Sequence, residues 1–174
     1  MTEKKHIVTA LVTNESGVLT RISGLFARRC FNIDSLVVCA TEDPGFSRMT
    51  ITVRGDESTL SQIILQLGKL PDCRCAVELK ESRAVLRELL LVKVKAGAGE
   101  RTDIETICHT YEAKIVDMSP QSVVIELTGK PTKLDGFIEM LSRYEILELS
   151  RTGLTALERG DGKLNSESNL TEIL

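Results

Sequence analysis

The sequence predicts an α+β protein built from two tandem βαββαβ units, and three observations carry that expectation. Short β-branched runs alternate with segments whose apolar residues recur every three or four positions. The order strand, helix, strand, strand, helix, strand is complete by residue 80. The same order then begins again at Arg87. A split β-α-β unit of this kind is the ferredoxin-like motif, in which helices cover one face of an antiparallel sheet. The boundaries read as 1–80 for the first unit, 81–86 for a short charged linker, 87–159 for the second unit and 160–174 for a polar tail expected to be mobile.

In the first unit, Ile7 to Val12 is an apolar run that reads as a buried strand, and Val18, Leu19, Ile22, Leu25 and Phe26 follow at helical spacing. Ile33 to Ala40 reads as the second strand, Asp43-Pro44-Gly45 as a turn, and Met49, Ile51 and Val53 alternate as the third strand. Leu60, Ile63, Ile64 and Leu67 mark a second amphipathic helix entered through Asp56 to Thr59, and Cys75, Val77 and Leu79 alternate as the fourth strand. In the second unit the matching segments are Leu89 to Val94, a helix through Ile104, Ile107, Cys108 and Tyr111, strands at Lys114 to Met118 and Val123 to Leu127, a helix through Leu134, Phe137, Ile138 and Leu141, and a last strand at Ile146 to Leu149. The repeat is one of architecture, with little sequence identity between its halves.

Composition limits the function. Hydrophobic residues make up 42% of the chain with no Trp, two Tyr and four Phe, so the core is aliphatic. The net charge of -3, with Lys and Arg scattered, offers no basic stripe for a phosphate backbone, and Ile7 to Val12 and Met49 to Val53 lack the aromatic residues on which an RNA-recognition module stacks bases. No apolar run is long enough to span a membrane, and Met-Thr-Glu-Lys-Lys lacks the apolar stretch of a secretion signal, which predicts a cytoplasmic protein with neither membrane nor nucleic acid as partner. The five cysteines, Cys30, Cys39, Cys73, Cys75 and Cys108, are irregularly spaced, and Cys73-x-Cys75 is one residue short of the usual zinc pair, so reduced thiols and no metal are expected.

The chemistry concentrates in the turn between the first strand and first helix, Asn14-Glu-Ser16-Gly17-Val18-Leu19. Asn14 and Ser16 are residue types that accept from the first helical amides, and Gly17 lets another molecule approach the backbone, so the turn reads as an anion site at a helix N-terminus. The plain alternative makes Asn14 and Ser16 caps and Asn32 a turn residue. His6 and His109 read as structural or solvent-exposed histidines, and the adjacent Glu42-Asp43 falls in a turn, where solvation is the expected role, so no catalytic residue is assigned.

Asn14-x-Ser16-Gly17-x-Leu19, with Asn32-Ile33 fifteen residues beyond the glycine, resembles the ligand-binding turn of ACT domains. Phe31-Asn32-Ile33-Asp34-Ser35-Leu36, then Asp43-Pro44 and Ser47-Arg48-Met49-Thr50-Ile51, are similar to the regulatory small-subunit family of acetohydroxyacid synthase, also called acetolactate synthase, over residues 4 to 160. The resemblance implies an ACT domain at the N-terminus, a homodimer through it, and a non-catalytic subunit that activates the catalytic large subunit and confers feedback inhibition by valine. It implies effector contacts at Asn14, Gly17, Val18, Leu19, Asn32 and Ile33, with Val12 lining the pocket, and Asn32 reaching the glycine turn of a second copy. Thiamin diphosphate, Mg²⁺ and FAD would be carried by the catalytic partner, for this chain has no motif to bind them. The second unit's first turn, Lys95 to Asp103, lacks the Asn-x-Ser-Gly-x-Leu pattern, so ligand is expected in the first unit only. Two other readings share the fold: a free-standing ACT-type sensor for another enzyme, and a small hydrolase of the acylphosphatase kind, for which Arg21 and Asn14 would assist a phosphate cradle.

Overall fold

The computed structural model describes residues 4–164. In the first unit β1 (Lys4–Thr13), α1 (Val18–Arg28), β2 (Ile33–Ala40), β3 (Phe46–Gly55), α2 (Glu57–Leu67) and β4 (Cys73–Glu78) follow in the predicted order. Their sheet runs β2-β3-β1-β4 with antiparallel neighbours. The central strand β1 is buried almost throughout from His6 to Val12, which is why its sequence reads as a continuous apolar run and not as an alternation. Val8, Ala10 and Val12 meet Met49, Ile51 and Val53 of β3 and the inner faces of both helices, Ile22 and Phe26 from α1 and Ile63 and Leu67 from α2. Full burial of such side chains is worth about 1.5–3 kcal/mol each, so this core holds both helices on one face of the sheet. Asp56 caps α2, its carboxylate accepting from the Thr59 amide at 2.8 Å.

The second unit repeats the plan with β5 (Ala84–Lys95), α3 (Arg101–Tyr111), β6 (Lys114–Met118), β7 (Ser122–Gly129), α4 (Pro131–Leu141) and β8 (Ile146–Arg151), the sheet running β6-β7-β5-β8. It has a core of its own: Leu90, Val92 and Val94 from β5 pack with Val123, Ile125 and Leu127 from β7 and with Ile104, Leu134, Phe137 and Leu141 from the helices. Tyr111 meets Phe137 edge to face with ring centroids 5.3 Å apart.

The chain divides otherwise than its sequence suggests. Among the described residues, one compact unit comprises 4–85 together with 154–164; the other is Leu86–Gly153. The expected linker over 81–86 is a single 3₁₀ turn, Glu81–Arg83, leading directly into β5 at Ala84. A further strand, β9 (Thr155–Glu158), was not anticipated, because four residues whose two apolar side chains, Ala156 and Leu157, are adjacent give no periodic signal. Its Leu154 and Ala156 neighbourhood is buried, and the Arg159 amide donates to the Arg83 carbonyl at 2.8 Å. Of the tail expected to be mobile, positions 160–164 lie within the described residues, and Gly160, Gly162, Lys163 and Leu164 line a hollow of about 240 Å³ with Thr9, Arg48, Val77 and Leu79; positions 165–174 are outside them. No helix among the described residues is long and apolar enough to cross a membrane.

Candidate functional site

The turn between β1 and α1 is built by Gly17. Its φ of 87° and ψ of -11° put the helix N-cap in the left-handed region, where a side chain is strained, and no side chain caps α1. Asn14 therefore does not cap, contrary to one of its two expected roles. Its Nδ2 donates to the Pro44 carbonyl at 3.1 Å, its Oδ1 accepts from the Ser47 hydroxyl at 3.1 Å, and its amide donates to the Gly45 carbonyl at 2.9 Å. The side chain ties the glycine turn to the β2–β3 turn and leaves the helix end open. The Val18 amide makes only a long 3.4 Å contact to the Glu15 carbonyl, and the first helical bond of the ordinary kind is Arg21 to the Gly17 carbonyl at 3.0 Å. The intervening amides face outward with the positive end of the helix dipole, which is the arrangement that receives a carboxylate or phosphate.

Arg21 adds a cation to this end. Its guanidinium binds Asp72 through two hydrogen bonds, Nε at 2.6 Å and the second amino group at 2.7 Å, while Nη1 lies 3.2 Å from where a Cβ on Gly17 would stand. The hydrogen bond from Arg21 holds the Asp72 carboxyl below its ordinary range, and the same bond raises Arg21. An enzyme of the acylphosphatase kind would use this arginine to meet a phosphate; here its fork is already taken by a carboxylate.

The expected site residues separate into three groups. Asn14, Gly17 and Leu19 stand together at the turn, and Leu19 is 48% exposed, an aliphatic surface beside the open amides. Val12 and Val18 belong to the core, at 1% and 4% exposure, so they contribute backbone to the turn and their side chains do not line a pocket. Asn32 and Ile33 lie at the opposite end of the sheet. Thr13 pairs with Phe46, but Ile33 pairs with Val53, seven residues further along β3, which at about 3.3 Å per residue is roughly 23 Å. There Asn32 is exposed and its Nδ2 donates to Asp34 at 3.3 Å, while Ile33 packs partly against the core.

The contribution of Ser47 to the turn was not legible in the sequence, since it rests on a pairing between residues 33 positions apart. Nor does the Cys73-x-Cys75 pair behave as a thiolate site: the Cys73 thiol approaches the Cys75 carbonyl at 3.4 Å, and burial pushes Cys73 up to about 12 and raises Cys75 as well.

Comparison with known proteins is consistent across both units. The family profile described as AHAS small subunit-like ACT domain matches residues 8–74, and that described as small subunit of acetolactate synthase matches residues 87–160. The chain is 46% identical over 156 residues to the "Probable acetolactate synthase small subunit" of Methanothermobacter thermautotrophicus, covering 89% of this chain and 93% of that protein. It is 42% identical over 158 residues to the acetolactate synthase small subunit of Haemophilus influenzae, covering 90% and 97%. The crystal structure of the acetolactate synthase small subunit from Thermotoga maritima superimposes with a TM-score of 0.85 at 35% identity, over 91% of this chain and 99% of that one.

Proposed function

The chain belongs to the family of acetolactate synthase small subunits, and from that premise we propose that it is a non-catalytic regulatory subunit that activates the catalytic large subunit and makes it subject to feedback inhibition by valine. In this reading valine's carboxylate sits against the open amides of the glycine turn and its aliphatic side chain against Leu19. The thiamin diphosphate, Mg²⁺ and FAD of the synthase reaction are carried by the catalytic partner.

The observation that supports the reading best is the separation of Asn32 from Gly17. A valine molecule cannot bridge roughly 23 Å, so if both residues serve one effector they come from two chains. The edge position of β2 offers a way to bring them together. An edge strand presents an unpaired ladder, and β2 also exposes Val38 at 43%. If two copies join β2 to β2 antiparallel about a two-fold axis, the Asn32 end of one strand falls beside the Ala40 end of the other. Ala40 pairs with Ser47, whose hydroxyl holds Asn14 at the glycine turn. An effector clasped between two chains binds only the assembled arrangement, and such a difference in affinity is what shifts an equilibrium toward an inhibited state.

The test is co-purification with the acetolactate synthase large subunit, followed by assay of the reconstituted enzyme with and without valine. Higher activity than the large subunit alone, suppressed by valine, is expected. A stable chain that binds valine yet neither binds nor alters the large subunit would favour a free-standing sensor.

A further inference from the structure

At the end of β1 away from the glycine turn, three side chains from three elements converge: His6 of β1, Glu57 at the first position of α2 and Glu78 at the last position of β4. One imidazole nitrogen and one oxygen from each carboxylate all lie within 4.8 Å of one another. The histidine side chain is 1% exposed, its Nδ1 stands 2.8 Å from a Glu78 oxygen, and its Nε2 is buried with no partner among the described residues. Nδ1, which faces Glu78, is the nitrogen able to act as ligand, and Nε2, across the ring, does not meet an ion held there. Glu78 is 23% exposed and Glu57 73%, so the group is sealed on the histidine side and open to solvent on the Glu57 side.

We infer that His6, Glu57 and Glu78 form a binding site for a divalent transition-metal cation of the Zn²⁺ class. One neutral imidazole and two carboxylates supply three ligands and two negative charges, matching a dication, with the solvent side left for water as fourth ligand. The imidazole disfavours Ca²⁺ and Mg²⁺, which take oxygen ligands. Zinc ligands at about 2.0–2.2 Å from a tetrahedral ion stand roughly 3.4 Å apart, between the 2.8 Å His6–Glu78 contact and the 4.8 Å outer limit of the group, so the two carboxylates adjust by about an ångström while the histidine stays fixed. Lys4, whose Nζ is 3.4 Å from Glu57 and which is 69% exposed, is the competing cation that an incoming ion displaces. Bound there, the ion ties α2 and β4 to β1 and stabilises the first unit by mass action.

The experiment uses the full chain, stripped with chelator and reduced. Zn²⁺ is titrated by equilibrium dialysis and by thermal melting, and Co²⁺ is added separately to read the ligand type from its visible spectrum, because exposed Cys30 and Cys39 are alternative zinc ligands. Expected are one Zn²⁺ per chain, a higher melting temperature with zinc, and a Co²⁺ spectrum without a thiolate charge-transfer band. Glu57→Gln, a change at an exposed position, should weaken binding at least about tenfold, and Lys4→Met should tighten it. His6→Asn, with its fold checked by circular dichroism, should abolish the rise in melting temperature. Absence of binding at about 100 µM free Zn²⁺, binding unchanged in Glu57→Gln, or a Co²⁺ spectrum dominated by sulfur would each overturn the assignment.

Discussion

Replacing Gly17 with aspartate places a carboxylate where the effector's own carboxylate is proposed to sit. The added Cβ stands 3.2 Å from Arg21 Nη1, the end of an exposed and flexible side chain, so the residue can be accommodated sterically. The backbone is less forgiving: at φ 87° a non-glycine residue costs about 1–2 kcal/mol, with aspartate among the better tolerated. Two like charges about 4 Å apart repel by roughly 1 kcal/mol in water and roughly 4 kcal/mol at the effective dielectric of a protein surface. The turn, Asn14 to Gly17, is exposed and lies between these limits, and valine affinity should fall at least about tenfold with the fold retained. Isothermal titration of the purified chain with valine measures the loss, and valine inhibition of the reconstituted synthase measures its consequence, with activation largely preserved. Gly17→Ala carries the same backbone strain without the charge and should bind valine more tightly than Gly17→Asp. A wild-type isotherm for Gly17→Asp would refute the pocket; equal loss in both variants would refute the electrostatic part of the argument.

Mixing a Gly17→Asp chain with an Asn32→Ala chain should regain up to about half of wild-type valine capacity, because each heterodimer then carries one site with both lesions and one with neither. No recovery, in heterodimers verified by native mass spectrometry, would mean that Asn32 does not serve the partner's site. Asp56 is held down at about 2, against an ordinary value of 3.8, first by the Thr59 backbone hydrogen bond, so its contribution to stability is complete above about pH 4 and is lost as pH falls through 2. The stability advantage of the native chain over Asp56→Asn, followed by urea melts, should therefore vanish across that interval; an advantage independent of pH would contradict it. With a thiol reagent at neutral pH, exposed Cys30 and Cys39 should react at once, whereas Cys73 and Cys108, which burial pushes up to about 12 and about 11, should wait for unfolding. Labelling of Cys73 as fast as Cys30 would show that the first core opens readily.

Residues that are neighbours in the chain settle its helices, strands and caps among themselves. The 3.6-residue spacing of Val18, Ile22, Leu25 and Phe26 gives a helix with one apolar face wherever it packs, the alternation of Met49, Ile51 and Val53 gives a strand, which the tertiary fold then buries on both faces, and Asp56 three residues before Thr59 gives a cap. The glycine turn was legible for the same reason, since only Gly17 suits its left-handed backbone. Tertiary structure decided matters that depend on residues distant in the chain. Asn14 had equal local claim to be a cap; Ser47 and Pro44, brought alongside by the β1–β3 register, took its side chain. Val12 and Val18 lie next to the turn in sequence, yet the pleat and the helix phase direct both into the core. The return of residues 154–164 to the first unit and the meeting of His6 with Glu57 and Glu78 leave no local mark, because contacts between residues so distant in the chain are fixed by the sheet order and carried by no spacing in the sequence.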